Sequence, residues 1–353
     1  MKKIISIVGA RPQFIKLAPL SRHLRRVFNE ILIHTGQHHD RNMSELFFDE
    51  LAIPQPAYHL GIQGGDHAEQ TGKMMIAIEK VLRDEKPRLV VVFGDTNSTL
   101  SGALAAAKLK IPVLHVEAGL RSFNRNMPEE INRIVADHIS DLLFAPTQTA
   151  MDNLTRENLA GIAHITGDIM LDTLKENLEK AVHHSTILTD LQLIEKSYCV
   201  LTLHRPYNVD QMGTLKPLIK SLMGGTETIV FPVHPRTRKL IKQMDLKTSG
   251  SIRFVDPLGY FDFLVLQKNA KKIITDSGGI QKEAYMLQVP CITIRTETEW
   301  TETVRDGWNI LTGFNEKKLA EAIASFIPIA KQNTLFGTYP VGKKMTDIIR
   351  KYL

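Results

Sequence analysis

The chain has 353 residues, 43% apolar and 23% charged, with a formal net charge of +6 at pH 7, which is the composition of a soluble globular protein with room for two domains. Its lysines and arginines are scattered rather than run together, which argues against nucleic acid as a partner and for an anionic small molecule. The two cysteines, Cys199 and Cys291, sit in apolar segments without metal-ligand spacing, and no stretch reaches the roughly 18 apolar residues of a membrane span.

Ile4–Val8 opens the chain as a short buried strand. It runs straight into the charged turn GARPQFIK, which is not the pattern of a signal peptide. The expected location is the cytoplasm, with both thiols reduced. EILIHT, RLVVVFG, IPVLHVEA, DLLFAP and AHITG follow as strands, separated by amphipathic stretches such as SELFFDELA and TGKMMIAIEKVLRDEK. This alternation predicts a parallel sheet covered by helices. The pattern loosens near residue 170, and a second series begins: YCVLTLH, TIVFPVH, SIRFVD, KKIITDS, PCITIR and WNILTG. The expected fold class is α/β, with two doubly wound Rossmann-like domains facing across a cleft. They span 1–168 and 169–335, and 336–353 forms a terminal helix that packs back on the first domain.

Ligands of open α/β sheets gather beyond the carboxyl ends of the strands. Here those ends carry Gly9-Ala10-Arg11, Gly94-Asp95-Thr96 and Glu117-Ala118-Gly119 in the first half. In the second half they carry His204-Arg205, His234-Pro235-Arg236 and Asp276-Ser277-Gly278-Gly279. The turn GARPQF has one glycine where GxGxxG has three, so a nicotinamide dinucleotide is disfavoured. Arg11 and Lys16 supply cations instead.

Ser277, Gly278 and Gly279 open a helix, where backbone N–H groups favour an anion, and Glu283 lies within reach of a ribose. His204 and His234, each followed by an arginine (Arg205 and Arg236), fit a diphosphate. On the acidic side, Asp95 and Glu117 close buried strands, a costly position for a carboxylate without a ligand or cation. Glu130 and Arg133, three apart, share one helix face. His34, Gln37 and His38, in HTGQHHD, line the same cleft or cap a loop. Together these groups predict a diphosphate-linked substrate with its sugar beside carboxylates.

The motifs VGARPQFIK, HTGQH, VFGDTNSTLSGALAA, HVEAGLRS, PEEINR, LTLHR, FPVHPRT and TDSGGIQKEA cover essentially the whole chain. In them the sequence resembles the non-hydrolysing UDP-N-acetylglucosamine 2-epimerases, which have the glycosyltransferase-B architecture. The resemblance implies acid/base roles for Asp95, Glu117 and Glu130. It implies anion contacts by Arg11, Lys16, Arg133 and His204, with His204 among the catalytic group, and UDP contacts by His234, Ser277, Gly278, Gly279 and Glu283, beside the Arg236 already read from the strand end. It also implies a homodimer, no cofactor or metal, and a second UDP-sugar site near Gln37 and His38. The segments LRSFNRNMPEEINR and RTETEWTETVRDGWN look more like the branch acting on UDP-2,3-diacetamido-2,3-dideoxy-glucuronate. The extra carboxylate of that sugar would want a cation, for which Arg121 and Arg125 are the candidates.

The implied reaction eliminates UDP to give a 2-acetamidoglucal and adds it back with C2 inverted, supplying precursors for cell-surface polysaccharide. The nearest rival is a UDP-sugar glycosyltransferase of the same architecture, which needs an acceptor site rather than converging carboxylates.

Overall fold

A computed structural model describes residues 1–37, 41–203, 206–209, 212–244 and 251–353. The chain divides into two compact units, residues 1–176 with 334–353, and residues 177–333.

In the first unit β1 (Lys3–Val8), α1 (Arg11–Leu24), β2 (Asn29–His34), α2 (Arg41–Glu50), β3 (Tyr58–His59) and α3 (His67–Glu85) lead to β4 (Leu89–Phe93) and α4 (Asn97–Lys108). Then come β5 (Val113–Val116), α5 (Pro128–Ile139), β6 (Leu142–Ala145), α6 (Gln148–Arg156), β7 (Ala163–Ile165) and α7 (Met170–His184), whose residues from 177 onward belong to the second unit. The strands form one parallel sheet in the order β3-β2-β1-β4-β5-β6-β7. The order reverses between β1 and β4, so the turns after these strands flank the crevice where such sheets hold ligands. The apolar runs are buried on both sheet faces. Ile5, Ile7, Val90 and Val92 pack with Met74 and Ile78 of α3 and with the alanines of α4, as expected for a parallel sheet covered by helices.

The second unit contains α8 (Ile187–Asp190), β8 (Tyr198–Thr202), α9 (Pro206–Val209), α10 (Met212–Met223), β9 (Thr228–Pro232), α11 (Pro235–Gln243), β10 (Ile252–Val255) and α12 (Tyr260–Lys268). It continues with β11 (Lys272–Thr275), α13 (Gly278–Met286), β12 (Cys291–Thr293), α14 (Thr301–Arg305), β13 (Asn309–Leu311) and α15 (Glu316–Ser325). Its parallel order is β10-β9-β8-β11-β12-β13. This repeats the same winding, with the reversal between β8 and β11. Leu201, Ile229, Phe231, Ile274 and Ile292 of the sheet pack with Leu215, Ile219 and Leu319 of the helices.

The last helix, α16 (Val341–Tyr352), belongs to the first unit and packs on α1. Val341, Met345 and Ile349, spaced four apart on one face, are buried. Asp172 of α7 caps the helix, its two oxygens accepting the N–H groups of Val341 and Gly342 at 2.8 Å each. No helix among the described residues is long and apolar enough to cross a membrane.

Candidate active site

The turn after β1 is built by side chains that bond to it. Gln13, in the first turn of α1, turns back so that its Oε1 accepts the N–H groups of Gly9 (2.8 Å) and Ala10 (3.1 Å). Its Nε2 donates to the carbonyl of Phe93 (2.9 Å) and to Thr99 Oγ1 (3.1 Å), which ties the end of β1 to the end of β4. Gly9 has no room for a side chain, since a Cβ there would lie 1.9 Å from Thr35 Oγ1 and 2.3 Å from Ser98 Oγ. Arg11 leaves this turn half-buried, its guanidinium carbon 5.8 Å from the centre of the Phe47 ring.

Lys16 points from α1 to the end of β5, where its Nζ lies 2.5 Å from Glu117 Oε1, both residues buried. Glu117 adopts φ 75°, a left-handed conformation uncommon for a residue with a side chain and concentrated at functional sites. Gly94 lies against this pair. Its φ is 62°, and a Cβ on it would meet Lys16 Nζ at 3.0 Å and Glu117 Oε1 at 3.4 Å.

A second charged group surrounds Arg133 on α5. One guanidinium nitrogen pairs with Asp95 Oδ2, and Nη1 lies 2.9 Å from Glu130 Oε2. Asp95 remains partly open to solvent, with 29% of its side chain exposed. Glu130 is almost wholly buried and accepts three further bonds, from Ser122 N (2.9 Å), Ser122 Oγ (2.9 Å) and Phe123 N (2.8 Å). These fix the loop before α5, in which Phe123 itself has φ 59°.

In the second unit, Ser277 precedes α13 and its side chain makes no capping bond. Its N–H donates to Thr275 Oγ1 at 2.9 Å. Asp276 Oδ2 accepts from Asn208 Nδ2 at 2.6 Å, which steadies the turn from below. Ser277, Gly278 and Gly279 are half-buried at the helix start, next to the sheet reversal. Glu283, one and a half turns on, is buried and accepts from Gln267 Nε2 at 2.8 Å. His234 is exposed just before α11. His204 and His38 lie outside the described residues, as does the side chain of Arg236.

The structure therefore brings together Lys16 with Glu117, and Asp95 with Glu130 and Arg133. Gln37 faces α4, its Oε1 accepting from Ser98 N (3.0 Å) and Ser98 Oγ (2.6 Å). His34 closes its own loop, with Nδ1 accepting from Gly36 N at 3.0 Å, and stacks on His59 with ring centres 4.5 Å apart. Arg121 is not a free cation. Its guanidinium is held by Asp137 (2.7 Å) and by both oxygens of Glu157 (2.8 and 2.7 Å). Arg125 is exposed on the loop that Glu130 fixes. Sequence reading passes over Gln13, although a glutamine three residues past a strand-to-helix turn is itself a capping signal.

Among the described residues, one trio of metal-type ligands, His23, Asp172 and Glu176, comes within 4.8 Å. Asp172 is occupied by the N–H groups of α16 and Glu176 by Arg22. These residues hold helices together.

Two parallel sheets of Rossmann-like winding, one in each unit, give a fold of the glycosyltransferase-B type. The family model described as UDP-N-acetylglucosamine 2-epimerase matches residues 22–350, and the chain belongs to that family. It is 51% identical to a UDP-N-acetylglucosamine 2-epimerase homolog of Methanococcus maripaludis, over 99% of each chain. It is 41% identical to the UDP-2,3-diacetamido-2,3-dideoxy-D-glucuronate 2-epimerase of Pseudomonas aeruginosa, again over 99% of each. The crystal structure of Methanocaldococcus jannaschii UDP-GlcNAc 2-epimerase in complex with UDP-GlcNAc and UDP matches with a TM-score of 0.92 and 46% identity, over 99% of this chain and 100% of that one.

Proposed function

We propose that the protein is a non-hydrolysing UDP-N-acetylglucosamine 2-epimerase, interconverting UDP-GlcNAc and UDP-ManNAc. The observation that carries the reading is the pair of carboxylates on neighbouring strand ends, Glu117 on Lys16 and Asp95 on Arg133, within a chain of this family.

No carbonyl acidifies the hydrogen at C2 of the sugar, so a base alone would not remove it. The C1–O bond to the diphosphate breaks first or early, positive charge grows at C1, and the neighbouring C2–H becomes acidic. Arg11, His204 and the helix start at Ser277–Gly279 are assigned to the leaving UDP, as charges set in place beforehand. A carboxylate takes the proton, and the enolic 2-acetamidoglucal forms. UDP then adds back at C1 while C2 is protonated from the other face. Two faces call for two proton-handling groups, and Glu117 and Asp95 are assigned to them. Glu130 acts with Arg133, and His234, Arg236 and Glu283 hold the nucleotide. The overall change is an isomerisation, so no oxidant or reductant is consumed. A cytoplasmic homodimer, and a second sugar-nucleotide site near Gln37 and His38, belong to the same reading through the family resemblance.

A second substrate is favoured by one observation. Arg125 is an exposed cation on the loop before α5, and a relative with 41% identity is named for the diacetamido uronate. The test offers UDP-GlcNAc and that uronate in parallel in deuterated water and follows C2 by NMR. Epimer carrying solvent deuterium at C2 is expected. Retention of the original hydrogen removes the proton-exchange step, free N-acetylmannosamine marks a hydrolysing enzyme, and turnover only with an added acceptor marks a transferase.

A further inference from the structure

We propose that His115 is a positioning residue for this reaction, its imidazole holding the Gly94 turn and, through it, Asp95 and the Lys16–Glu117 pair. His115 lies on β5 two residues before Glu117 and is completely buried, so it acts through other groups and not on the sugar. Its Nε2 is 2.6 Å from the carbonyl oxygen of Gly94, and its Nδ1 is 2.7 Å from Asp137 Oδ1. The Gly94 carbonyl can only accept, so Nε2 is the donor to it. Asp137 Oδ2 in turn accepts from Gly119 N (3.1 Å) and Arg121 Nη1 (2.7 Å), and Arg121 continues to Glu157.

One buried chain of alternating donors and acceptors thus ties together the turn after β4, the turn after β5, and helices α5 and α6. The Gly94 peptide is the floor on which the Lys16–Glu117 pair rests, and Asp95 is the next residue along it. Without a donor at its carbonyl, this buried turn would carry an unpaired acceptor and move to find another. Burial works to raise the pKa of Asp137, but His115 and Arg121 outweigh it and hold the carboxyl below its ordinary value, as the network requires.

The inference rests on the epimerase reading, and its test separates the two. Wild type, His115→Gln and His115→Asn are compared for C2 epimerisation of UDP-GlcNAc, UDP affinity and thermal unfolding. Glutamine keeps a donor near the Gly94 carbonyl, whereas asparagine keeps only the Asp137 contact. His115→Asn is expected to lose about 10²-fold in kcat, the scale of an ångström-level misplacement, with KM and UDP affinity nearly unchanged. His115→Gln is expected to recover much of that loss.

A folded His115→Asn protein with wild-type kcat overturns the proposal. Should that variant not fold, the ¹⁵N spectrum of the wild type decides, with the His115 signals identified by their loss in His115→Gln. A proton on Nε2, the nitrogen facing the Gly94 carbonyl, is expected, and a bare Nε2 overturns the proposal. A wild type inactive on both UDP-GlcNAc and the diacetamido uronate would sink the epimerase reading while leaving that spectrum to judge the hydrogen bond.

Discussion

Lys16 Nζ and Glu117 Oε1 are 2.5 Å apart, and only 7% of either side chain is exposed. Removing one partner leaves the other charged and shielded from water, a loss of about 3–5 kcal/mol in buried pairs. Lys16→Met and Glu117→Gln should each lower stability in urea unfolding. The double variant should lose clearly less than the sum, because the two side chains are in contact. Simple additivity would show that the pair is not coupled. Glu117→Gln should also lose about 10²- to 10⁴-fold in kcat while still binding UDP, the range of a missing acid–base group.

Gly94 and Gly9 are intolerant for different reasons. Gly94→Ala places a side chain at φ 62°, which costs about 1–2 kcal/mol, and crowds Lys16 Nζ. It should fold with a lower melting temperature and reduced kcat. Gly9→Ala puts carbon 1.9 Å from Thr35 Oγ1 and should yield little soluble protein. Equal yields and melting temperatures for the two variants would contradict this ordering.

Glu130 holds its loop as much as it charges the site. Glu130→Gln removes the ion pair with Arg133 and weakens the bonds to Ser122 and Phe123. Amide exchange at those two positions should speed up by about tenfold for each 1.4 kcal/mol of lost local stability. Unchanged exchange would mean that other contacts fix the loop.

Asp137 predicts a pH dependence with a definite sign. Its native pKa lies below its ordinary value of 3.8. The stability it contributes is therefore fully present above that value and lost as pH falls through the native value. The melting-temperature gap between wild type and Asp137→Asn should be widest near neutrality and shrink below about pH 4. A gap constant from pH 3 to 7 would refute this.

The thiols should be silent. Burial pushes Cys199 up to about 11 and Cys291 up to about 12, so little thiolate forms at pH 8. Iodoacetamide should label neither in the native protein and both after denaturation. Rapid native labelling would mean that these segments open.

Much of the fold is legible because a buried parallel strand is a local signal. RLVVVF reads as a strand and is β4, ending where Gly94 and Asp95 begin. The carboxylates at strand ends are visible for the same reason. Their partners are not, because pairing is a tertiary fact. Lys16 and Glu117 are 101 positions apart, and Arg133 and Asp95 are 38 apart. Arg121 looks like a spare cation in LRSFNR, and only the packing of α5 and α6 shows it bound to two carboxylates. His115 is hidden by its setting in VLHVEA, where a polar residue within a strand is easily taken for one more core position.

The return of α16 to the first unit has a consequence for how the protein is made. A ribosome releases residues 1–176 long before the segment that covers α1. The amino-terminal body must therefore wait with that face bare until the whole carboxy-terminal body has been translated. A nascent chain arrested before residue 334 would present apolar surface to chaperones, and a fusion or truncation at the carboxyl end would strike the oldest part of the molecule rather than the newest.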